Sequence, residues 1–247
     1  MGAGLAMSGF LSIGKGLTLL VLLGVLGGCS STSAPDLKSP EDPSDLRLLW
    51  NGVTAAWQSW KTRNDGPPPD PRGTLTAELV DASEYPAILV ETTNPTEYGV
   101  FATFPERNGR LQWRSPEKQG ITTEAGFVVS TYGLGFDLFD SDVTGSKAAL
   151  FGEGPRQGYS RIHRQLDSEI QPQAITYTCH LLPLGKEQVV LAQRAYDTDV
   201  WEERCQNADE TFKNQYWIDR GSAKMRISDE WLPIRGGRRL RLERLTP

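Results

Sequence analysis

Beyond Gly73 the chain breaks into short runs rich in β-branched and aromatic residues, each bounded by Gly, Pro, Asn or Asp, and this succession limits the fold more than any other feature. The runs are GTLTAELV, YPAILVETT, YGVFATF, RLQWRS and FVVSTYGL, followed by YSRIHRQLDSE, AITYTCHLL, EQVVLAQRAYD, VWEERCQ, FKNQYWID, AKMRISDEWL and RRLRLERL. Between the two groups, FDSDVTGSKAALFGEGPRQG is full of glycine and small residues and reads as a long surface loop. Turn residues stand at hairpin distance at Asn108-Gly109, Leu184-Gly185-Lys186, Arg220-Gly221 and Gly236-Gly237. About a dozen strands without helices between them cannot make parallel crossovers, so they must pair antiparallel. The predicted fold is mainly β: an antiparallel meander forming an open barrel or β-sandwich, with one N-terminal helix packed on it.

That helix is read over residues 44–61, where Leu46, Leu49, Trp50, Val53, Trp57 and Trp60 recur at spacings of three and four. Ser44 can cap its start, and NDGPPPDPRG ends it. The three tryptophans are read as a packing stripe rather than a glycan-stacking surface.

The apolar run Leu17 to Leu26 is about half of the roughly 20 residues needed to span a bilayer. Lys15 precedes it and small residues follow, in the order of a secretory signal. Cys29, after Leu26-Gly27-Gly28, resembles the lipobox of bacterial lipoproteins, whose cysteine receives lipid as the chain is cut before it. Residues 1–28 are therefore expected to be a lipoprotein signal peptide, with Cys29 lipidated, palmitate-type acyl chains included. The competing reading is an ordinary secretory signal that ends near a cysteine. Residues 29–43, rich in Ser, Pro and Asp, read as a flexible tether, and 44–247 as a single β-rich periplasmic domain with strands from 73. Ser30 lacks the acidic character that holds many lipoproteins at the inner membrane, so the expected location is the outer membrane, facing the periplasm.

The formal net charge of −5 becomes more negative when Lys15 is removed, which argues against nucleic acid as a partner. Cys179 and Cys205 remain after the anchor, and in an oxidising compartment such a pair is most simply read as a disulfide worth about 3 kcal/mol. A metal site is the weaker reading, because His180 next to Cys179 would point to the opposite face of a strand.

Local signatures of catalysis are missing: there is no Gly-x-Ser-x-Gly elbow, no phosphate loop, and YGLGFD matches only part of a dinucleotide fingerprint. Tyr159, Arg161, His163 and Gln165 share one face of a strand, read as solvated. The expectation is no enzyme, no cofactor and no metal, although two carboxylates on separate strands would leave no trace in the sequence. Tryptophans in the predicted strands are read first as packing. Trp113, Trp217 and Trp231, with Arg239 and Arg241 from the arginine-rich last strand, are the candidate contacts for a glycan or a partner protein.

The lipobox at Cys29, LQWRSPEKQGITTEAGFVVSTYGLGFDL, and the series from YTCHLLPLGKEQVVLAQRAYDTDVWEERCQ through FKNQYWIDRGSAKMRISDEWL to LRLERL together resemble the YjbF family, the group 4 capsule polysaccharide lipoproteins. The resemblance implies an outer-membrane, mostly β lipoprotein acting with machinery that makes or exports an extracellular polysaccharide. It brings no catalytic residues. The expected function is thus a non-enzymatic accessory role in exopolysaccharide or capsule production or export. Its expected partners are the membrane through the lipid, export or assembly proteins, and the polysaccharide itself. A glycan-modifying enzyme and a lipid-carrying envelope lipoprotein are the alternatives.

Overall fold

The computed structural model describes residues 70–247 apart from 84, 94–95, 104–107, 136, 167–168 and 234–237. The expected signal peptide 1–28, Cys29, the tether 29–43, the helix over 44–61 and the Gly236-Gly237 turn lie outside the described residues.

A 3-10 turn at Pro71–Gly73 and a short helix α1 (Ala77–Asp81) lead into twelve strands. These are β1 (Ala87–Thr92), β2 (Glu97–Thr103), β3 (Arg110–Arg114), β4 (Gly120–Glu124), β5 (Phe127–Tyr132), β6 (Asp140–Asp142), β7 (Gln157–Leu166), β8 (Pro172–Leu191), β9 (Arg194–Gln206), β10 (Thr211–Asp219), β11 (Met225–Leu232) and β12 (Arg238–Arg244). Helix α2 (Thr144–Phe151) stands between β6 and β7.

All twelve strands belong to one antiparallel sheet in the order β5-β4-β3-β2-β1-β12-β11-β10-β9-β8-β7-β6. Sequence neighbours pair throughout except at the β5–β6 junction, and β12 returns to β1. The two edges left over approach each other, with the Thr131 amide donating to the Leu138 carbonyl at 2.9 Å. The mainly β meander expected from the sequence is thus a nearly closed barrel, which leaves little open edge to aggregate.

Alternation decides what fills it. On β10, Phe212, Asn214 and Tyr216 are buried while Lys213 between them is exposed. One inner cluster joins Phe127, Val129, Tyr177, Phe212, Tyr216 and the two cysteines; a second joins Ile88, Val90, Phe101, Trp113, Ile121, Leu240 and Leu242. Gly120 sits opposite Tyr132, and a Cβ there would lie 1.8 Å from the tyrosine ring, so the β4–β5 pair needs glycine at that place.

Several local expectations are corrected. GTLTAELV, read as a strand, contains α1: the Thr76 hydroxyl caps it by accepting the Leu79 amide at 3.1 Å, and Leu75 and Val80 pack with Leu89, Val100 and Ala192. The supposed surface loop FDSDVTGSKAALFGEGPRQG contains β6 and α2, because Val143, Ala149 and Leu150 are buried and Gly152 ends the helix at φ 83°. Strand β4 was not anticipated, since its threonines and glycine show no clear apolar alternation. Leu184-Gly185-Lys186 is no turn. There β8 continues through an irregularity between Pro183 and Gly185, a place where a proline without an N–H is tolerated. The reversal falls instead inside EQVVLAQRAYD, at Ala192 and Gln193, both with positive φ as a two-residue hairpin loop requires. Packing of buried Ala192 against Leu75, Val80 and Leu245 decides this register. Finally, the face of β7 read as solvated points inward: Arg161 and His163 are both 0% exposed.

Candidate functional site

The inward rows of β7, β9, β10 and β11 bring charge into the barrel. Arg161 Nη1 donates to Glu203 Oε2 at 2.9 Å and to the Tyr216 hydroxyl at 3.0 Å. Its Nη2 donates to Glu230 Oε2 at 2.6 Å, and its Nε to His163 Nε2 at 3.0 Å. Glu203 also accepts from the Tyr159 hydroxyl at 3.1 Å, the Tyr216 hydroxyl at 2.8 Å and Asn214 Nδ2 at 2.8 Å. Glu230 Oε1 accepts the Val128 amide at 2.8 Å, tying β5 to β11 across the interior.

Burial disfavours the Arg161 charge, yet Tyr216, Glu203 and Glu230 around it hold its pKa well above the ordinary value. Burial also pushes Glu203 up, but Arg161 and the surrounding donors outweigh this and keep it below the ordinary carboxylate value. At Glu230 burial wins and the carboxyl lies above it. His163 is driven far down by burial and by Arg161, so its ring is neutral, and because Nε2 accepts a bond its proton sits on Nδ1. With Arg161, Glu203 and Glu230 all at 0% exposure, this cluster is internal architecture that no polymer can touch.

A different region at one mouth of the barrel is open. A cleft of about 420 Å³, within the range of small-molecule sites, is walled by Asn108, Gly109 and Leu111 at the start of β3, the β4–β5 turn, Lys147 and Phe151 of α2, the end of the β10–β11 turn, and Arg244. Beneath it a recess of about 40 Å³ is lined by Ile88, Trp113, Thr123, Ser228 and Leu242, and shares Leu111, Gly126, Met225 and Arg244 with the outer part. The β4–β5 turn is tight, with Ala125 at φ 51° and Gly126 at φ 97°. A Cβ on Gly126 would lie 2.8 Å from Met225, so glycine is what lets the turn close down on the floor of the cleft.

Arg244 stands at the neck between the two parts. It occupies the same side of β12 as buried Leu240 and Leu242, and pairs in register with Ile88 of β1. Among the described residues no carboxylate meets it, and its buried Nε has no hydrogen-bond partner. Burial and the neighbouring Arg226 lower its pKa. Arg226 itself is satisfied: its Nη2 lies 2.9 Å from Asp219 Oδ2, and its guanidinium lies over the Tyr196 ring at 4.0 Å. Ser228, 2% exposed, turns a hydroxyl without a partner to the recess. At the rim Lys147 Nζ lies 2.6 Å from Glu124 Oε1, and this bond above all keeps the Glu124 carboxyl below its ordinary value. The surface therefore offers an unmatched guanidinium and a free hydroxyl between apolar walls.

The candidate contacts named from the sequence are dispersed. Trp113 lines the recess, with its indole N–H donating to Thr123 Oγ1 at 2.9 Å. Trp217 is buried elsewhere, donates to Glu187 Oε2 at 2.7 Å and lies under the Arg241 guanidinium at 5.0 Å. Trp231 stacks on Phe212 at 4.6 Å and pairs in register with Arg239, which is bound to Asp229 at 2.8 Å. Arg241 also donates to Glu243 at 2.8 Å. Arg244 and Ser228 were missed. The available signal was parity: an arginine in the leucine row of the last strand is out of place on a solvated face.

Cys179 and Cys205 face each other across β8 and β9 and are joined as a disulfide, with Cα atoms 4.1 Å apart. Glu203 lies near both sulfurs, but a disulfide has no thiolate to give a metal.

Comparison with known proteins adds to this geometry. No curated protein sequence matches the chain. Among solved structures it is similar to the crystal structure of the hypothetical lipoprotein YmcC from Escherichia coli (K12), with a TM-score of 0.60 over 69% of this chain and 88% of that one. At 17% identity that likeness speaks to the fold. A family model described as "Group 4 capsule polysaccharide lipoprotein gfcB, YjbF" matches residues 53–237. The family is one of capsule-associated lipoproteins and not a known enzyme family, which implies a membrane-anchored place in the cell envelope and a role in polysaccharide production. A match over residues 53–237, which takes in β1 to β11 and stops short of β12, leaves one conclusion: the chain belongs to the YjbF family of group 4 capsule polysaccharide lipoproteins.

Proposed function

We propose that this protein is a non-enzymatic accessory factor in capsule or exopolysaccharide production or export. Acylated Cys29 tethers it to the outer membrane, the barrel faces the periplasm, and the polymer is held in the cleft beside Arg244 near the export or assembly proteins. The observation that carries the reading is that cleft: open, partly apolar, and carrying a cation that no side chain of the protein neutralises among the described residues. Among the described residues its lining includes one carboxylate, Glu124, already bound by Lys147, whereas glycoside hydrolysis ordinarily uses two. The interior is filled with aromatic side chains and the Arg161 cluster, surroundings unsuited to an acyl chain. A tether raises the local concentration of a binding domain near membrane-bound partners, so weak intrinsic affinity for the polymer is sufficient.

Crosslinking of the full-length lipoprotein in intact cells, followed by analysis of what is captured, tests the reading. Export or assembly proteins together with polymer are the expected products. Capture of shortened oligosaccharide alone, or unchanged secretion of polysaccharide by cells lacking the protein, overturns it. Mass analysis of the native chain, expected to begin at an acylated Cys29, tests the anchor.

A further inference from the structure

We infer that the neck of the cleft is a subsite for a carboxylated sugar: the Arg244 guanidinium receives the carboxylate of a uronate residue, Ser228 bonds to it or to a neighbouring hydroxyl, and Leu111, Met225 and Phe151 pack against the ring. This inference rests on the polymer-binding reading above and gives it a substrate class.

The argument begins with how this chain treats its other sheltered guanidiniums. Arg161 lies between Glu203 and Glu230, Arg226 is bound to Asp219, and Arg72 meets both Glu243 and Glu91. Among the described residues Arg244 alone of these four meets no carboxylate, although it is partly buried and lies close enough to Arg226 to be repelled by it. A desolvated charge without a counter-ion weakens a fold, and an anion from outside relieves that strain. Ser228 repeats the pattern, with a buried hydroxyl that finds no partner among the described residues and lines the same recess.

The kind of anion follows from the surroundings. A guanidinium presents a planar fork that fits a carboxylate through two parallel hydrogen bonds. The charge of Lys147 is matched by Glu124 and that of Arg226 by Asp219, so Arg244 and the exposed Lys224 at the rim remain. That is a small positive excess, suited to single negative charges spaced along a chain rather than to a dense polyanion. Leu111 and Phe151 are half-buried and Met225 is buried, so the walls offer apolar surface to the C–H face of a sugar ring. The outer part of the cleft is open to solvent, which lets a chain pass across it while one substituent reaches the neck.

Isothermal titration of the full chain against a glucuronate-containing oligosaccharide, its neutral methyl ester and inorganic phosphate tests the inference. The free acid is expected to bind at least tenfold more tightly than the ester and than phosphate. Arg244→Gln is expected to lose at least tenfold for the acid with an unchanged or higher melting temperature, and Ser228→Ala to lose about threefold. Equal affinity for acid and ester overturns the subsite while leaving polymer binding standing. Phosphate binding as tight as the acid, no binding of the acid, or full binding by Arg244→Gln overturns it as well. Should Arg244→Gln not fold, the comparison of acid with ester on the unaltered chain decides the matter alone. Failure of the polymer-binding reading itself shows separately, in the capture experiment on intact cells.

Discussion

Arg161 at the centre of the barrel and Arg244 at its mouth are both withdrawn from water, but the protein surrounds one with partners and leaves the other without. Around Arg161, two carboxylates, a phenol and an imidazole occupy the donor directions of the guanidinium. Around Arg244, the charged group felt most is another arginine, Arg226, which lowers its pKa after burial. The contrast separates two uses of a buried charge: the first specifies how strands pack, and the second keeps a binding group ready for something that arrives from outside.

The largest effect should come from breaking the first cluster. Glu203→Ala strips Arg161, Tyr159, Tyr216 and Asn214 of a shared acceptor, and a loss of about 3–5 kcal/mol is expected in urea unfolding. A loss under about 1 kcal/mol means that the cluster does not hold the barrel, and the contrast with Arg244 disappears. Next comes the disulfide beside the cluster: Cys179→Ala with Cys205→Ala should cost about 3 kcal/mol, since the bond closes a loop between residues 26 apart. Reduction of the unaltered protein should lower its melting temperature to match. Arg244→Met is the sharpest test of the comparison itself. It removes a charge that meets no carboxylate among the described residues, so stability should stay within about 1 kcal/mol of the original and shift upward. A fall comparable to that of Glu203→Ala would show that Arg244 is a structural residue like Arg161.

A further effect concerns acid. Burial would raise the Asp219 carboxyl, but the Ser222 hydroxyl, the Gly221 amide and Arg226 bring its pKa from 3.8 down to about 2. A carboxyl depressed in the folded state contributes stability that is fully present above pH 3.8 and is lost as pH falls through about 2. Acid titration of Asp219→Asn, followed by circular dichroism, should therefore show a shallower decline over that window than the unaltered chain, and parallel curves would refute the link.

Much of the barrel was legible because alternation and turn chemistry are local. AITYTCHLL, FKNQYWID and RRLRLERL carry their period of two openly, and each lies in a strand of the sheet. What failed was decided at a distance. The β8–β9 turn looked as though it belonged at Gly185, yet the reversal at Ala192 and Gln193 prevails because its tip docks on Leu75 and Val80, more than a hundred residues earlier. The brief helix Thr144–Phe151 was hidden by glycines and small residues whose apolar side shows only when it packs on the barrel. Of the site, Trp113 was named and the last strand was recognised as arginine-rich, but nothing nearby marked the recess where Trp113 meets Arg244.

From the amino-acid order alone came the mainly β character, the antiparallel pairing, a cysteine pair able to bridge, and the family. Periodicity also tells which residues share a face of a strand, because successive side chains alternate by geometry. It does not tell which face turns inward when one is polar, since polar faces normally meet water. Only the tertiary structure decided that Tyr159, Arg161 and His163 point inside, by bringing Glu203 and Glu230 to Arg161 from 42 and 69 residues away. The same long-range assembly left Arg244 without such a partner among the described residues, which is what singles it out as the proposed subsite.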